Sequence, residues 1–344
     1  MHQILNTLYI TTEPSYAHLD HDTLRVEVNG ETKLRVPLLH LGGIVCFGDV
    51  LVSPALLGRC AEEGRSVTYL TRNGRFAARV EGPVSGNVLL RREQYAASGD
   101  PHRATRIARN IVAGKVQNAR QVVLRAAREA ENAEDTERLE RTSREQAAVL
   151  ARLERLDDLD QIRGLEGEAA RAYFAVLDRM VREDRETFRM QGRSRRPPLD
   201  PMNAMLSFLY TLLLGDCVAG AEGVGLDPQV GFLHQLRPGR PALGLDLMEE
   251  LRAPLADRLA LTLINRKQIC KEDFEEKPGG AVHFKDEARK TVVVAYQKRK
   301  QDEVPHELIG QKVPFGMVPH VQARLLARHL RGDLEDYPPF LYGG

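Results

Sequence analysis

Apolar and polar positions alternate along residues 1–90, whereas beyond residue 102 the apolar positions fall three and four apart. The first period is that of half-buried strands and the second that of helices. "LRVEVNGETKLRV" is two alternating runs around Asn29-Gly30, and "VTYLTRNGRFAARV" repeats the arrangement around Asn73-Gly74. Asn-Gly predicts a two-residue hairpin turn, because both central positions of a type I′ turn need positive φ. "GGIVCFGDVLVS" adds one apolar strand. "SPALLGRCAEEG" predicts a short helix, with Ser53 as N-cap, Pro54 at its first position and Gly64 as its stop.

In the second part, "HRATRIARNIVAGKVQNARQVVLRAAREA" puts Ile107, Ile111, Val112, Val116, Val122 and Val123 at core positions of a long helix. Residues 129–162 are densely charged, with leucines at 139, 150, 153, 156 and 159, and predict an exposed helical hairpin. "GLEGEAARAYFAVLDRMV" reads as a further helix, and "MQGRSRRPPLD", 190–200, as a basic, Pro-rich loop. "DPMNAMLSFLYTLLLGDCVAG" follows with Asp200 as N-cap and Pro201 in the first turn. It is apolar nearly all round, which places it in the middle of a helical domain. From 272 the pattern is mixed, with an extended piece and then a helix in "GGAVHFKDEARKTVVVAYQKRKQDE". The two periods meet at "RREQYAASGDP", so the predicted organisation is a β-rich domain over 1–92, a linker over 93–101 and a helical domain over 102–344. A length of 344 residues, at a prior of about 150 residues per domain, gives two domains.

Composition adds mainly exclusions. Hydrophobic residues make up 42% and charged residues 28%, an ordinary soluble globular mixture. Lys and Arg number 49 against 48 Asp and Glu, so any nucleic-acid surface must come from local segregation of charge. No apolar run approaches the roughly 20 residues of a membrane span. The opening "MHQILNTLYITTE" lacks the basic start and cleavage site of a signal peptide. Cys46, Cys60, Cys217 and Cys270 form no CxxC pair, and predict reduced thiols in a cytoplasmic protein with no zinc site.

The candidate chemistry centres on "GFLHQLRPGRPALGLDLMEELRAPLADRLAL", residues 231–261. An apolar run delivers His234, a basic loop follows, and a helix is predicted with Asp246, Glu249 and Glu250 in its first turns. Acids there could simply complement the helix dipole, and a lone histidine is often structural. The spacing matches no compact metal motif such as HExxH, so a site here must be completed from elsewhere. Glu166 in "RGLEGEAARAYF" is the candidate, sharing a helix face with Ala169, Ala170 and Tyr173 while Glu168 points away. A carboxylate on such a face must pair, bind a metal or change its pKa, and Arg163 and Arg171 are the pairing alternatives.

If Glu166, His234 and Glu249 converge, two carboxylates and an imidazole suit Mn²⁺ or Mg²⁺, which polarise phosphoryl oxygens. Arg237 and Arg240 would then hold substrate phosphates. Arg103, Arg106, Arg125 and Arg128 fall in one helical stripe, with Arg109 and Arg120 on a neighbouring one, and Arg193, Arg195 and Arg196 crowd one loop. Such patches bind phosphate backbones without reading sequence, or else are solvated faces balanced by nearby acids. No Trp and 6% aromatics argue against base stacking and for duplex contact.

At "GLEGEAARAYF", "DPMNAMLSFLYTLL" and "GFLHQLRPGRPALGLDLMEELR", with a weaker match at "KVQNAR", 115–120, the chain resembles the CRISPR-associated adaptation integrases, metal-dependent DNA endonucleases. It looks most like the branch that accompanies subtype I-C systems. The resemblance implies an α+β fold, an N-terminal β-sandwich-like domain followed by an all-α catalytic domain. It carries the family's metal ligands over to Glu166, His234 and Glu249, the last being Asp in many members. Asp246, Tyr173 and Asn203 become supporting positions. Arg237, Arg240, Arg193, Arg195, Arg196, Lys115, Arg103 and Arg106 are the expected DNA contacts. It also implies a homodimer through the N-terminal domains, with two dimers bridged by a small ferredoxin-like partner. The reaction implied is attack of a DNA 3′-hydroxyl on a phosphodiester of a CRISPR repeat, on double-stranded or branched DNA. The alternatives are a non-catalytic helical DNA-binding scaffold and a metal-dependent phosphohydrolase of small nucleotides.

Overall fold

The computed structural model describes residues 7–72, 76–80, 82, 88–190, 192–194 and 196–343. The chain divides into two units, Met1–Gly86 and Asn87–Gly344. The first contains β1 (Thr7–Ile10), β2 (Ser15–Asp20), β3 (Thr23–Val28), β4 (Glu31–Pro37), β5 (Gly43–Phe47), β6 (Val50–Val52), α1 (Pro54–Glu62), β7 (Ser66–Leu70) and β8 (Phe76–Val80). These strands form two four-stranded sheets, ordered β1-β5-β7-β8 and β4-β3-β2-β6. In the first, β5 runs parallel to β1 and β7; in the second, β2 runs antiparallel to β3 and parallel to β6.

Local chemistry explains most of this unit. Asn29 and Gly30 have φ of 52° and 79°, the left-handed pair that a type I′ turn needs, and Val28 faces Glu31 across the hairpin. The second Asn-Gly, 73–74, lies outside the described residues, although Val67 pairs with Val80 on the flanking antiparallel strands. The expected single strand in "GGIVCFGDVLVS" is two strands in different sheets. Gly48, at φ 67°, cannot continue an extended run and turns the chain from β5 to β6. Ser53 caps α1, its hydroxyl accepting from the Leu56 amide at 3.2 Å. Ala17 and Leu24, Ile44 and Val67, and Leu56 bring both sheets and α1 into one core.

The second unit contains α2 (Val88–Gly99), α3 (Pro101–Glu129), α4 (Ala133–Leu153), α5 (Leu159–Phe174), α6 (Pro201–Gly223), α7 (Ala242–Glu249), α8 (Arg258–Asn265), β9 (Phe274–Lys277), β10 (Ala281–Phe284), α9 (Asp286–Gln301), β11 (Glu303–His306), β12 (Gln311–Pro314) and α10 (Val318–Leu330). It is predominantly helical, but β9-β10 and β11-β12 are antiparallel hairpins that the all-α expectation omits. Gly279, Gly280 and Gly310, all at positive φ, make these reversals possible. Residues 93–101 are the end of α2 and the start of α3, where the Asp100 carboxylate accepts from the amides of His102 and Arg103.

Residues 129–162 do not form an exposed hairpin. They hold a single helix, α4, before α5 begins, and α4 buries Asp135, Leu139, Thr142, Ser143, Gln146, Val149 and Leu153 along one face. That stripe has helical spacing but is more than half polar, so a search for leucines alone misplaces it. The six core positions expected of α3 are all buried.

By length and composition α6 could cross a membrane, contrary to the sequence reading, yet 67% of its apolar window is buried within the protein. It is the central helix, capped by Asp200 Oδ1, which accepts from the Asn203 amide at 2.7 Å. Cys46, Cys60 and Cys217 are buried and Cys270 is exposed, all four as free thiols.

Candidate active site

Residues 231–250 build half of the site within one stretch of chain. The turn Arg237-Pro238-Gly239-Arg240 reverses the backbone, with Gly239 at φ 71° and the Arg240 amide donating to the Arg237 carbonyl at 3.0 Å. The returning chain enters α7 at Ala242, and Pro241 at the N-cap has no side chain to mark the start. This corrects the expected placement of the acids. The first turn of α7 holds none; Asp246 lies mid-helix, Glu249 is its last residue and Glu250 follows it. Complementing the helix dipole therefore does not explain them.

Asp246 is fully buried and turned back on the loop. Its Oδ2 accepts from the amides of Phe232 at 2.6 Å and Leu233 at 3.1 Å, and its Oδ1 from the His234 amide at 3.0 Å. Gly231 permits this approach, since a Cβ there would stand 2.6 Å from Asp246 Oδ2. The same carboxylate meets His234 Nδ1 at 2.7 Å. The Asp246 oxygens already accept amide hydrogens, so the imidazole donates its Nδ1–H to them and turns Nε2 toward the site. Nε2 lies 3.6 Å from Glu249 Oε1. A carboxylate behind one imidazole nitrogen, with the other directed at a second acid, is the arrangement that orients metal-binding histidines.

The other half comes from distant segments. Lys115 on α3 ion-pairs with Glu166 on α5 and stands 2.6 Å from Glu249 Oε2. Arg252, in the short π-helical segment Arg252–Asp257, meets Glu249 Oε1 at 3.0 Å. Burial alone would raise the Glu249 pKa, but Arg252, Lys115 and His234 hold it down at about 2. Glu249 is thus ionised at neutral pH. Its Oε2 accepts no hydrogen bond of good geometry, so the ammonium neutralises it mainly by charge. Glu166 pairs with Lys115 and not with Arg163, which is tied to Asp160 and donates to the Leu233 carbonyl at 2.8 Å.

Beside Glu249 and Arg252 lies a buried polar floor. The hydroxyls of Tyr173 and Tyr210 donate to the Asp257 carboxylate at 3.0 and 2.7 Å. Burial, only partly opposed by these donors, raises Asp257 to about 6. Burial also lifts both phenols well above their ordinary value, so they stay protonated as donors. Arg252 stacks over the Tyr210 ring with its guanidinium carbon 4.9 Å from the centroid. Arg252, Tyr210 and Asp257 were missed by the sequence reading. Only Arg252 left a usable signal, three residues after Glu249 on a helical stretch.

The remaining candidates divide. Asn203 lies under the site but acts on the loop before α6, its Oδ1 accepting from Arg193 at 2.5 Å and from the Ser194 amide at 3.1 Å. Arg193 therefore points inward, with its guanidinium 5.3 Å from the Tyr210 centroid. Arg196 and Arg237 are exposed and Arg240 is half-buried, while Arg195 lies outside the described residues. On α3, Arg103 pairs with Glu93 at 2.5 Å and Arg106 with Asp336 at 2.6 Å; Arg109 pairs with Asp157 and Arg125 with Glu129. Much of the expected basic stripe is thus balanced by nearby acids, which is the plainer of its two readings.

Among the described residues no three His, Cys, Asp or Glu side chains stand close enough to enclose a metal ion. The Lys115 ammonium sits between the carboxylates of Glu166 and Glu249. A cation is already held where those two acids share charge. One imidazole nitrogen and two ionisable carboxylates are, by donor chemistry, a set that suits Mn²⁺ or Mg²⁺.

Comparison with known proteins bears on the whole chain. The family described as CRISPR associated protein Cas1 matches residues 8–298. The CRISPR-associated endonuclease Cas1 1 of Moorella thermoacetica is 62% identical over 342 residues, 99% of this chain and all of the relative. A solved chain of a Cas6-RT-Cas1–Cas2 complex shares the fold at 22% identity and TM-score 0.84, covering 99% of this chain and 36% of that one. A casposase bound to integration product does so at 21% identity and TM-score 0.83, covering 97% and 93%. A family match across most of the sequence and a relative aligned end to end show that the chain belongs to the CRISPR-associated Cas1 family.

Proposed function

We propose that this protein is a divalent-metal-dependent DNA endonuclease and integrase of CRISPR adaptation, joining the 3′-hydroxyl of a short DNA fragment to a phosphodiester at the edge of a CRISPR repeat. The observation that carries the proposal is the buried Glu249 carboxylate. It is held ionised between Arg252 and Lys115 and faces a histidine whose Nδ1 is fixed by Asp246. Glu166, His234 and Glu249 would hold Mn²⁺ or Mg²⁺, which when bound polarises a phosphoryl oxygen and favours ionisation of the attacking hydroxyl. Asp246 keeps His234 in the tautomer that presents Nε2. Arg252 keeps Glu249 charged, and the floor of Tyr173, Tyr210 and Asp257 supports Arg252. Asn203 orders the loop that carries Arg193 and Arg196.

Arg237 and Arg240 follow His234 on the reversing turn and contact the phosphates of double-stranded or branched DNA, and Arg195 and Arg196 are further DNA contacts on this reading. Phosphoryl transfer asks mainly for positioning and charge stabilisation, which these groups provide without a nucleotide cofactor. Arg103, Arg106 and Lys115 join the DNA contacts only by leaving their present acidic partners. The assembly belongs to the same reading: a homodimer through the N-terminal units, bridged by a small ferredoxin-like CRISPR-associated partner, in a subtype I-C setting. Family membership and the Cas2-containing assembly of a structural neighbour support the CRISPR-associated partner.

The test is strand transfer on a repeat-containing duplex with Mn²⁺, comparing wild type, Glu166→Ala and His234→Ala, each checked for folding by circular dichroism. Folded variants should lose joining by at least about 100-fold. Wild-type rates in both would remove these residues from the chemistry and favour the non-catalytic DNA-binding scaffold.

A further inference from the structure

The last residues of the chain run beside the site without forming a helix or strand, yet several are deeply buried. Tyr337 and Phe340 are at most 1% exposed. A segment of this kind stays in place only if other groups satisfy its backbone, and α3 does so along one stripe. Arg106 donates to the Glu335 carbonyl at 3.3 Å and to the Asp336 carboxylate at 2.6 Å. Asn110 Nδ2 donates to the Tyr337 carbonyl at 2.9 Å. Asn118 Nδ2 donates to the Phe340 carbonyl at 2.8 Å, and Asn118 Oδ1 accepts from the Tyr342 amide at 2.8 Å. The fourth member of this series, each four residues from the next, is Gly114. A Cβ there would stand 2.7 Å from the Pro339 Cβ, so only glycine lets the segment lie against α3 at that level.

The same segment grips Glu250, the neighbour of Glu249. Tyr337 donates its hydroxyl to Glu250 Oε1 at 2.7 Å, and the Phe340 amide donates to Oε2 at 2.8 Å. Asn118 ties the two grips together, donating also to the Glu250 carbonyl at 2.7 Å. Gly114 and Asn118 flank Lys115, and Glu250 follows Glu249. The backbone on either side of the Lys115–Glu249 contact is therefore fixed by one terminal segment.

We propose that residues 335–342 are a strap that sets the spacing of Lys115 on α3 and Glu249 at the end of α7, with Asn118, Glu250 and Tyr337 as positioning residues for the reaction. This rests on the metal-dependent reading given above. Among the described residues no hydrogen bond or ion pair joins the strap to Glu166 or His234, and it acts through the backbone that carries Lys115 and Glu249.

The experiment uses the full chain, a chain ending at Leu334, and Tyr337→Phe, which removes one hydrogen bond and keeps the ring. Mn²⁺ binding to the DNA-free protein is read by electron paramagnetic resonance, and kcat and KM for strand transfer are measured separately. The strap predicts that the shortened chain, still folded, binds Mn²⁺ about 10-fold more weakly and loses kcat by a similar factor. KM for DNA stays put, and a synthetic peptide of residues 335–344 restores both. Tyr337→Phe should move the same two quantities by a smaller factor. Wild-type Mn²⁺ affinity and kcat in both variants, with only the melting temperature lowered, would overturn the proposal. If the shortened chain does not fold, Tyr337→Phe alone decides between these outcomes. A wild-type protein that neither binds Mn²⁺ nor transfers strands would overturn the metal-dependent reading and this proposal with it; a failure confined to the variants leaves that reading standing.

Discussion

The two halves of the site are built by different means. In the His234 corner, Asp246 fixes three backbone amides and the imidazole across at most 14 residues of sequence, all through short hydrogen bonds. In the Lys115 edge, three elements far apart in the chain meet through ion pairs, with Lys115 donating to Glu166 Oε1 while Glu249 Oε2 accepts no well-formed hydrogen bond. The corner is therefore organised before any ligand arrives. The edge is a set of carboxylates balanced by an ammonium, which on the proposed reading gives way to the metal ion. A directional nitrogen ligand benefits from the first kind of construction, because its lone pair must be aimed. Carboxylates tolerate the second, because a hard cation accepts oxygen from a range of directions.

Breaking the corner should cost most. Asp246→Ala leaves three buried amides without their acceptor, and at about 1 kcal/mol or more for each the loss is about 3 kcal/mol or greater. Urea unfolding should show it, and strand transfer should disappear with the orientation of His234. A variant as stable as wild type would mean that the loop does not depend on Asp246 and that the contrast between the halves is false.

Breaking the edge should act differently. Lys115→Met keeps the stem and removes the ammonium, so Glu249 retains Arg252 and the His234 imidazole. The metal-free protein should lose about 1–2 kcal/mol, less than for Asp246→Ala. Added Mn²⁺ should then raise its melting temperature by more than it raises that of wild type, because no resident cation has to be displaced. An equal or smaller rise would show that lysine and metal do not compete for the same carboxylates.

The contrast also explains what the sequence revealed. Gly231, His234 and Asp246 lie in one short stretch, so the corner was visible as a motif even though the start of α7 was misplaced. That start was hidden because Pro241, not a Ser, Thr, Asp or Asn, precedes the helix. Glu166 was found from its face of small residues. Its partner was not, because Lys115 lies 51 residues away and an ion pair leaves no period in the sequence. The inward partners of Lys115 and Arg193, both expected DNA contacts, leave no sequence signal for the same reason, and the face of α4 is hidden because its buried stripe is largely polar. The sheets, the Asn29-Gly30 turn and α6 were legible because each rests on local pattern. The two C-terminal hairpins were too short to announce themselves.

The smallest expected effect belongs to the floor, which joins the two halves without being a ligand of either. Asp257 is fully buried and its pKa stands near 6, above an ordinary value of 3.8. The folded protein thus holds this proton more tightly than the unfolded chain. The stabilisation is fully present below pH 3.8 and is lost as pH rises through 6. Asp257→Asn keeps an oxygen for the tyrosine hydroxyls and removes the titration. Between pH 4 and 6 the variant should lack the part of the wild-type decline in stability that belongs to this group. At pH 7 it should gain about 1 kcal/mol, since the avoided charge burial slightly exceeds the loss of the charge-assisted hydrogen bonds. Strand transfer should change less than in any other variant, because Arg252 still pairs with Glu249 directly. A variant whose stability follows the wild-type pH profile would place the carboxylate in contact with solvent. A collapse of activity would make the floor part of the ligand set and merge the two halves into one.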